Sequence, residues 1–300
     1  MYDPTDPRFG LTTTGTPQET PSGEFAGADY VRFFEMPPVE ADEQSKTWWA
    51  RGQNFFLSYS EVVDEAVFNR PNQPDEYVLM LPEKRTRARI TAPDGTTNVS
   101  GFRLVIVPPG KSSIEIAGGG QVVRLFSTRS EDLAALPVNA ASYAKPHPNV
   151  TLFEPWPEPP AGYKVRAYSL DVPKQPGRFG RIFRCTTFMV NYLDLQIGPR
   201  DTTKLSPHTH PDFEQCSLAV SGSFFHHLRW PWGTDMAHWR PDDHELCPSP
   251  SIAVIPPPSI HTTRAMDPGE NQLVDIFCPP RMDFSEKPGW VLNADEYPMP

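Results

Sequence analysis

The stretch HTHPDFEQCSLAV, residues 208–220, decides how this chain is read. Its first half carries His208, His210 and Glu214, and its second half has the small and apolar character of a strand. Successive side chains of a strand point to opposite faces, so His208 and His210 project from the same face. Glu214 shares that parity, with Pro211 marking a turn between them. The chain holds eight histidines, and seven of them lie between His208 and His261. Three donors from one hairpin leave a gap for a fourth. His261, following VIPPPSI, can fill it from a neighbouring strand. Three imidazoles and one carboxylate suit a single divalent first-row ion: Fe, Mn, Co, Ni, Cu or Zn. Such a set leaves positions open for water or substrate.

The rest of the chain reads as all-β. Thirty-seven prolines in 300 residues are more than twice the usual share of about 5%, and proline is excluded from helix interiors. Short runs of β-branched and aromatic residues are bounded by Pro, Gly, Asn or Asp. They include NFFLSYSEV (54–62), EYVLMLP (76–82), FRLVIVPPG (102–110), QCSLAVSGSFFHHLRW (215–230), SIAVIPPP (251–258) and NQLVDIFC (271–278). Short helices such as RSEDLAAL (129–136) are the only helical candidates.

A net charge of −10 argues against a nucleic-acid partner, which needs a basic stripe. No run of 18 apolar residues exists, so no membrane helix is expected. The opening MYDPTDPRFG lacks the features of a secretory signal, which makes a cytoplasmic location the expectation. The four cysteines, Cys185, Cys216, Cys247 and Cys278, form no C-x-x-C pair and are expected to be free and mostly buried.

The two halves resemble each other. RGQNFFLSY (51–59) matches RCTTFMVNY (184–192), RPNQPDEYVLML (70–81) matches residues 208–220, and VIVPPGKSS (105–113) matches AVIPPPSIH (253–261). The three matches keep their order at offsets of 133, 138 and 148, which points to duplication. In the first copy Arg70, Asn72, Glu76 and Ser113 stand where His208, His210, Glu214 and His261 stand in the second. The expected organisation is an arm at 1–28, a β-unit without metal ligands at 29–144, a Pro-rich connector at 145–165, and a metal-binding β-unit with its tail at 166–300. His147 lies in the connector and reads as a loop residue. The first unit is expected to be structural, or to bind an anion through Arg70.

These residues resemble the cupin superfamily, whose first motif is G-x5-H-x-H-x3,4-E-x6-G and whose second is G-x5-P-x-G-x2-H-x3-N. HTHPDFE fits H-x-H-x3-E, and Gly222 closes that motif one residue late. Pro256 and His261 fit the second motif. Thr202, Pro250, Pro258 and Ala265 stand where the motifs have glycine or asparagine. The resemblance covers roughly residues 50–280 and implies a bicupin: two antiparallel jelly-roll barrels in one chain, with one divalent metal, iron foremost, in the second.

Other candidates follow from position. A regular turn at Gly222 would face Phe224, His226 and Leu228 inward, and His227 and Arg229 outward. His226 is then the best non-ligand acid/base group. Arg264 is a candidate contact for an anionic substrate and Tyr192 a candidate cavity residue, as is Cys216 by its parity with Glu214. His238 and His244 sit in GTDMAHWRPDDHEL (233–246), which reads as a surface loop able to cover the barrel mouth.

Three functions fit. The first is a metal-dependent dioxygenase-type oxidoreductase of small-molecule metabolism, favoured by the aromatics Phe224, Trp230 and Trp232. The second is a metal-dependent isomerase, lyase or decarboxylase acting on a sugar acid or other carboxylate. The third is a non-enzymatic metal-containing binding module. Each takes a small molecule as partner, and a homodimer is compatible with all of them.

Overall fold

The computed structural model describes residues 24–233 and 235–300; most of the expected arm, residues 1–23, lies outside the described residues. The chain forms two β-units, each built from a seven-stranded sheet and a smaller one. In the first unit the larger sheet runs, in spatial order, Arg166–Ser169, Arg103–Val107, Tyr77–Leu81, Gly120–Ser127, Phe55–Val62, Ser45–Arg51 and Glu40–Ala41. Its smaller sheet is Ala66–Gln73, Gly110–Ala117, Arg87–Ala92 and Gly95–Ser100. In the second unit the larger sheet runs Asp29–Arg32, Ser251–Ile255, Gln215–Ser221, Glu270–Phe277, Met189–Tyr192 and Arg181–Arg184, with Gln196–Ile197 paired to Glu270–Phe277. Its smaller sheet is Asp243–Pro248, Ser223–Arg229 and Ile260–Ala265. All of these pairings are antiparallel, as in the expected jelly rolls.

Sequence pattern explains which sheet is which. Tyr77–Leu81 and Ser251–Ile255 are buried at every position, because both faces of a seven-stranded sheet are covered. One face looks into its own barrel. The other packs against the partner sheet in a shared core that includes Phe55, Leu57, Val78, Phe188, Cys216 and Leu218. Arg87–Ala92 covers one face only and alternates exposed and buried residues. Gly222 links Gln215–Ser221 to Ser223–Arg229 at φ +78, where a side chain would also meet the Glu270 carbonyl at 2.5 Å.

Sheet membership crosses the expected boundaries at two strands. Asp29–Arg32 pairs with Ser251–Ile255 in the second unit, although it was assigned to the first. Arg166–Ser169 pairs with Arg103–Val107 in the first unit, although it was assigned to the second. Each unit thus lends its first strand to the edge of the other's large sheet. Strand character says that a segment pairs but not with which neighbour, so this exchange leaves no local signal. RSEDLAAL holds only the 3-10 turn Glu131–Leu133, and the one α-helix among the described residues is Met282–Ser285. No helix among them is long and apolar enough to cross a membrane. All four cysteines are buried and free, as expected.

Candidate metal centre

His208, His210 and His261 converge. Their ligating atoms lie within 4.8 Å of one another. His208 and His261 sit on opposite segments that exchange two backbone hydrogen bonds, His208 N to His261 O at 3.0 Å and His261 N to His208 O at 2.8 Å. That bridge sets their ring centroids 4.3 Å apart, with His210 at 4.9 and 5.0 Å from the two. The Nδ1 atoms of His208 and His261 face the carbonyls of Ser206 and Ser259 at 2.9 and 3.2 Å. Nδ1–H donation to those carbonyls leaves each Nε2 with a lone pair for a metal. His210 is held well below its ordinary pKa by burial, with further lowering from Arg281 and the other two histidines, so it is in the neutral form a ligand needs.

Glu214, the expected fourth ligand, is not in the cluster. The strand begins at Gln215, and its alternation sends Glu214, Cys216, Leu218 and Val220 towards the first unit. Glu214 Oε2 accepts from the backbone N–H of Gln53 at 2.6 Å, and Oε1 lies 3.2 Å from Nδ1 of His147. His147 is therefore more than a loop residue: its ring is held between Glu214 and Tyr143.

Gln215 takes the inward place instead. Its Oε1 lies 3.1 Å from Nε2 of His210. As it stands the amide oxygen accepts from His210 Nε2–H, and it would become an uncharged oxygen donor beside the imidazoles once that proton left on metal binding. The amide is oriented by its other end, where Nε2 donates to Ser217 Oγ at 3.1 Å and to Asp275 Oδ1 at 3.2 Å. An ionised carboxylate can only accept, which puts the amide nitrogen towards Asp275 and the oxygen towards His210. One sequence signal marked Gln215. The family spacing allows four residues before the acid, and E-x6-G counted from position 215 lands on Gly222 without slippage.

The other candidates divide. Phe224, His226 and Leu228 are buried, and the strand alternates as expected. Nδ1 of His226 lies 2.9 Å from Thr263 Oγ1, and burial brings its pKa down to about 3. Arg264 does not line the cavity. It projects to the outer face, where Nε reaches His227 Nε2 at 3.1 Å and the guanidinium lies over Phe225. Thr263, its neighbour across from His226, takes the inward position. Tyr192 is also corrected: it belongs to the core between the two large sheets and packs edge-on against Phe102, and Cys216 in the same core is a buried thiol.

His244 is exposed and pairs with His227 at 2.8 Å, while His238 ends the short turn Met236–His238, which the Asp235 side chain caps. Of the aromatics weighed for an oxygen site, Trp232 is 70% exposed and stacked on Trp239, while Trp230 and Phe224 are buried in two small clusters, that of Trp230 including Leu228, which pairs with His261. Phe213, stacked on His210 at 4.4 Å, is the aromatic beside the histidines that was missed.

No family model and no curated protein matches this chain. Solved structures match its fold. The formate complex of Lactobacillus farciminis oxalate decarboxylase is 12% identical with a TM-score of 0.57, over 89% of this chain and 90% of that one. A Bacillus subtilis oxalate decarboxylase variant is 13% identical with a TM-score of 0.52, over 91% and 84%. AerE from Microcystis aeruginosa is 8% identical with a TM-score of 0.53, over 86% and 99%. At such identities the likeness concerns the fold, which is the expected two-barrel cupin architecture.

Proposed function

We propose that the second barrel holds one divalent transition-metal ion on His208, His210, His261 and Gln215, and that the protein is an enzyme acting there on a small carboxylate. The observation that carries this reading is the convergence of three imidazoles within 4.8 Å. All four donors are uncharged, so a bound divalent ion keeps its full positive charge at the open positions. That charge favours an anionic substrate over a neutral one. When bound, the ion would supply Lewis-acid polarisation of a substrate oxygen.

The chain's own groups do the rest. Asp275 and Ser217 hold the Gln215 amide in place. Phe213 covers one face of His210. His226 is kept neutral by burial and anchored through Nδ1 by Thr263, and serves as a hydrogen-bonding group for the substrate. Carboxylate chemistry of the decarboxylase or lyase kind is preferred to dioxygenation. Two of the three similar structures are oxalate decarboxylases, and Trp232, one of the aromatics that favoured an oxygen site, is 70% exposed.

The test is elemental analysis of protein purified without added metal, then anaerobic incubation with oxalate and other small carboxylates while released carbon dioxide is measured. Support is about one first-row metal per chain, lost in His261→Ala, with turnover that needs no oxygen. Turnover only with stoichiometric oxygen consumption would restore the dioxygenase reading, with iron as the expected ion. Metal-free native protein would remove both.

A further inference from the structure

The first barrel lacks imidazoles but keeps a site of another kind. Arg124 occupies the position that Asp275 occupies in the second barrel. Arg124 pairs with Ser58 and Leu79 across its two neighbouring strands, and Asp275 pairs with Asn191 and Ser217. Ser58 and Asn191 are 133 apart, and Leu79 and Ser217 are 138 apart, the offsets of the internal duplication. Two independent pairings thus give the same equivalence. At this equivalent inward position the charge is inverted between the barrels.

Arg124 is 6% exposed, yet its Nε has no hydrogen-bond partner. Aromatic faces carry the guanidinium: Phe68 at 4.1 Å and Trp49 at 5.4 Å from Cζ. Burial brings its pKa down to about 10, which leaves it cationic at neutral pH. The charged groups around it are engaged elsewhere. Asp132 takes both terminal nitrogens of Arg70 at 2.6 and 3.0 Å, and Gln73 takes its Nε at 2.8 Å. Glu40 accepts from the indole N–H of Trp49 at 2.9 Å. Arg70 is therefore engaged, whereas Arg124, among the described residues, is a buried cation whose Nε has no acceptor.

Arg124 lines an open cavity of about 400 Å³, with Phe68 and Leu133 on its apolar side and Glu40, Arg70 and Asp132 on its polar side. That volume falls in the range of small-ligand sites, about 300–1,000 Å³. A buried guanidinium without an acceptor is costly, and a carboxylate is the planar anion that meets its fork of donors. One unengaged cation neutralises one negative charge, while Asp132 and Glu40 on the rim oppose a dianion. We infer that the first barrel binds a small monocarboxylate through Arg124, at a site separate from the metal centre of the second barrel.

The experiment uses the full chain and benzoate as the probe, followed by calorimetry. Expected is one benzoate site in the wild-type protein, retained in the His208→Ala/His261→Ala variant. Affinity should fall roughly tenfold or more in Arg124→Met, which loses the charge-assisted hydrogen bonds. Because Arg124→Met could also disturb folding, Leu136→Trp provides a second variant. It fills the cavity, keeps the cation, and should abolish binding while circular dichroism stays native. Inorganic phosphate should not compete.

The inference is overturned by any of four results. These are no benzoate binding at roughly millimolar concentrations, unchanged binding in folded Arg124→Met, loss of binding only in the histidine variant, or equal competition by phosphate. The histidine variant also separates this site from the proposed metal centre, since each can fail without the other.

Discussion

Replacing Glu214 by Ala separates a metal ligand from a structural fastener. The carboxylate accepts from Gln53 N–H at 2.6 Å and sits 3.2 Å from His147 Nδ1, both in the layer between the two units. A hydrogen bond to a charged group is worth about 1.5–3 kcal/mol, and the largely buried pairing with His147 adds about 1 kcal/mol. Glu214→Ala should therefore lose about 2–4 kcal/mol, read as a fall in melting temperature of roughly 4–10 °C. Glu214→Gln keeps an oxygen for Gln53 and should lose only about 1 kcal/mol. In neither variant should metal content change, because the side chain faces away from the three histidines. The assay pairs elemental analysis with thermal unfolding on the same preparations. Metal lost from Glu214→Ala with the melting temperature preserved would refute this, and would return Glu214 to the ligand set.

Gln215→Leu removes an oxygen from the cluster, and Asp275→Leu removes the acceptor that orients it. Each should weaken metal binding by roughly 10–100-fold in a chelator competition, while His226→Gln leaves occupancy intact. Glu76→Ala should cost about 3 kcal/mol or more in urea unfolding, since Thr186 N–H, Thr186 Oγ1 and the Tyr297 hydroxyl all donate to that buried carboxylate.

The pKa of His147 is raised above 6.5: burial lowers it, but the bond and charge of Glu214 together outweigh that. Protonation is therefore stronger in the folded state. The stabilisation is fully present below the unfolded pKa and is lost as pH rises through the folded value. The stability gap between wild type and His147→Asn should accordingly shrink as pH is raised above 6.5. A gap that widens with pH would contradict the Glu214 contact.

Much of the fold was legible because burial on two faces and on one face leave different patterns. EYVLML and SIAVI are unbroken apolar runs, and they lie in the large sheets. RARITA alternates, and it lies in an outer one. The inward positions of Phe224, His226 and Leu228 followed from a single turn at Gly222. The exchanged strands were not legible. DYVR and RAYS have the same short, half-buried character wherever they pair. Arg264 and Tyr192 were misplaced because facing depends on register, and one step moves a side chain to the opposite face. In the first unit, Arg70 lies opposite Ser112, as His208 lies opposite His261, so the position of His261 belongs to Ser112 and not to Ser113.

The duplication carried the clue to Glu214. A residue kept in both copies should serve something both copies share, and the first barrel has no imidazoles to share a metal with. Glu76 and Glu214 are the retained pair, and the structure gives them one role under approximate two-fold symmetry. Glu76 accepts from Thr186 N–H of the second unit at 3.1 Å, and Glu214 accepts from Gln53 N–H of the first at 2.6 Å. Gln53 and Thr186 are 133 apart, as are Phe55 and Phe188, whose rings meet edge-to-face at 6.5 Å between the same sheets. The acids fasten barrel to barrel, so they persist in both halves. The inward positions one residue later, Tyr77 and Gln215, are where the halves diverge, as are Arg124 and Asp275 across the neighbouring strand. Shared residues mark the joint between the barrels, and differing ones mark what each barrel holds.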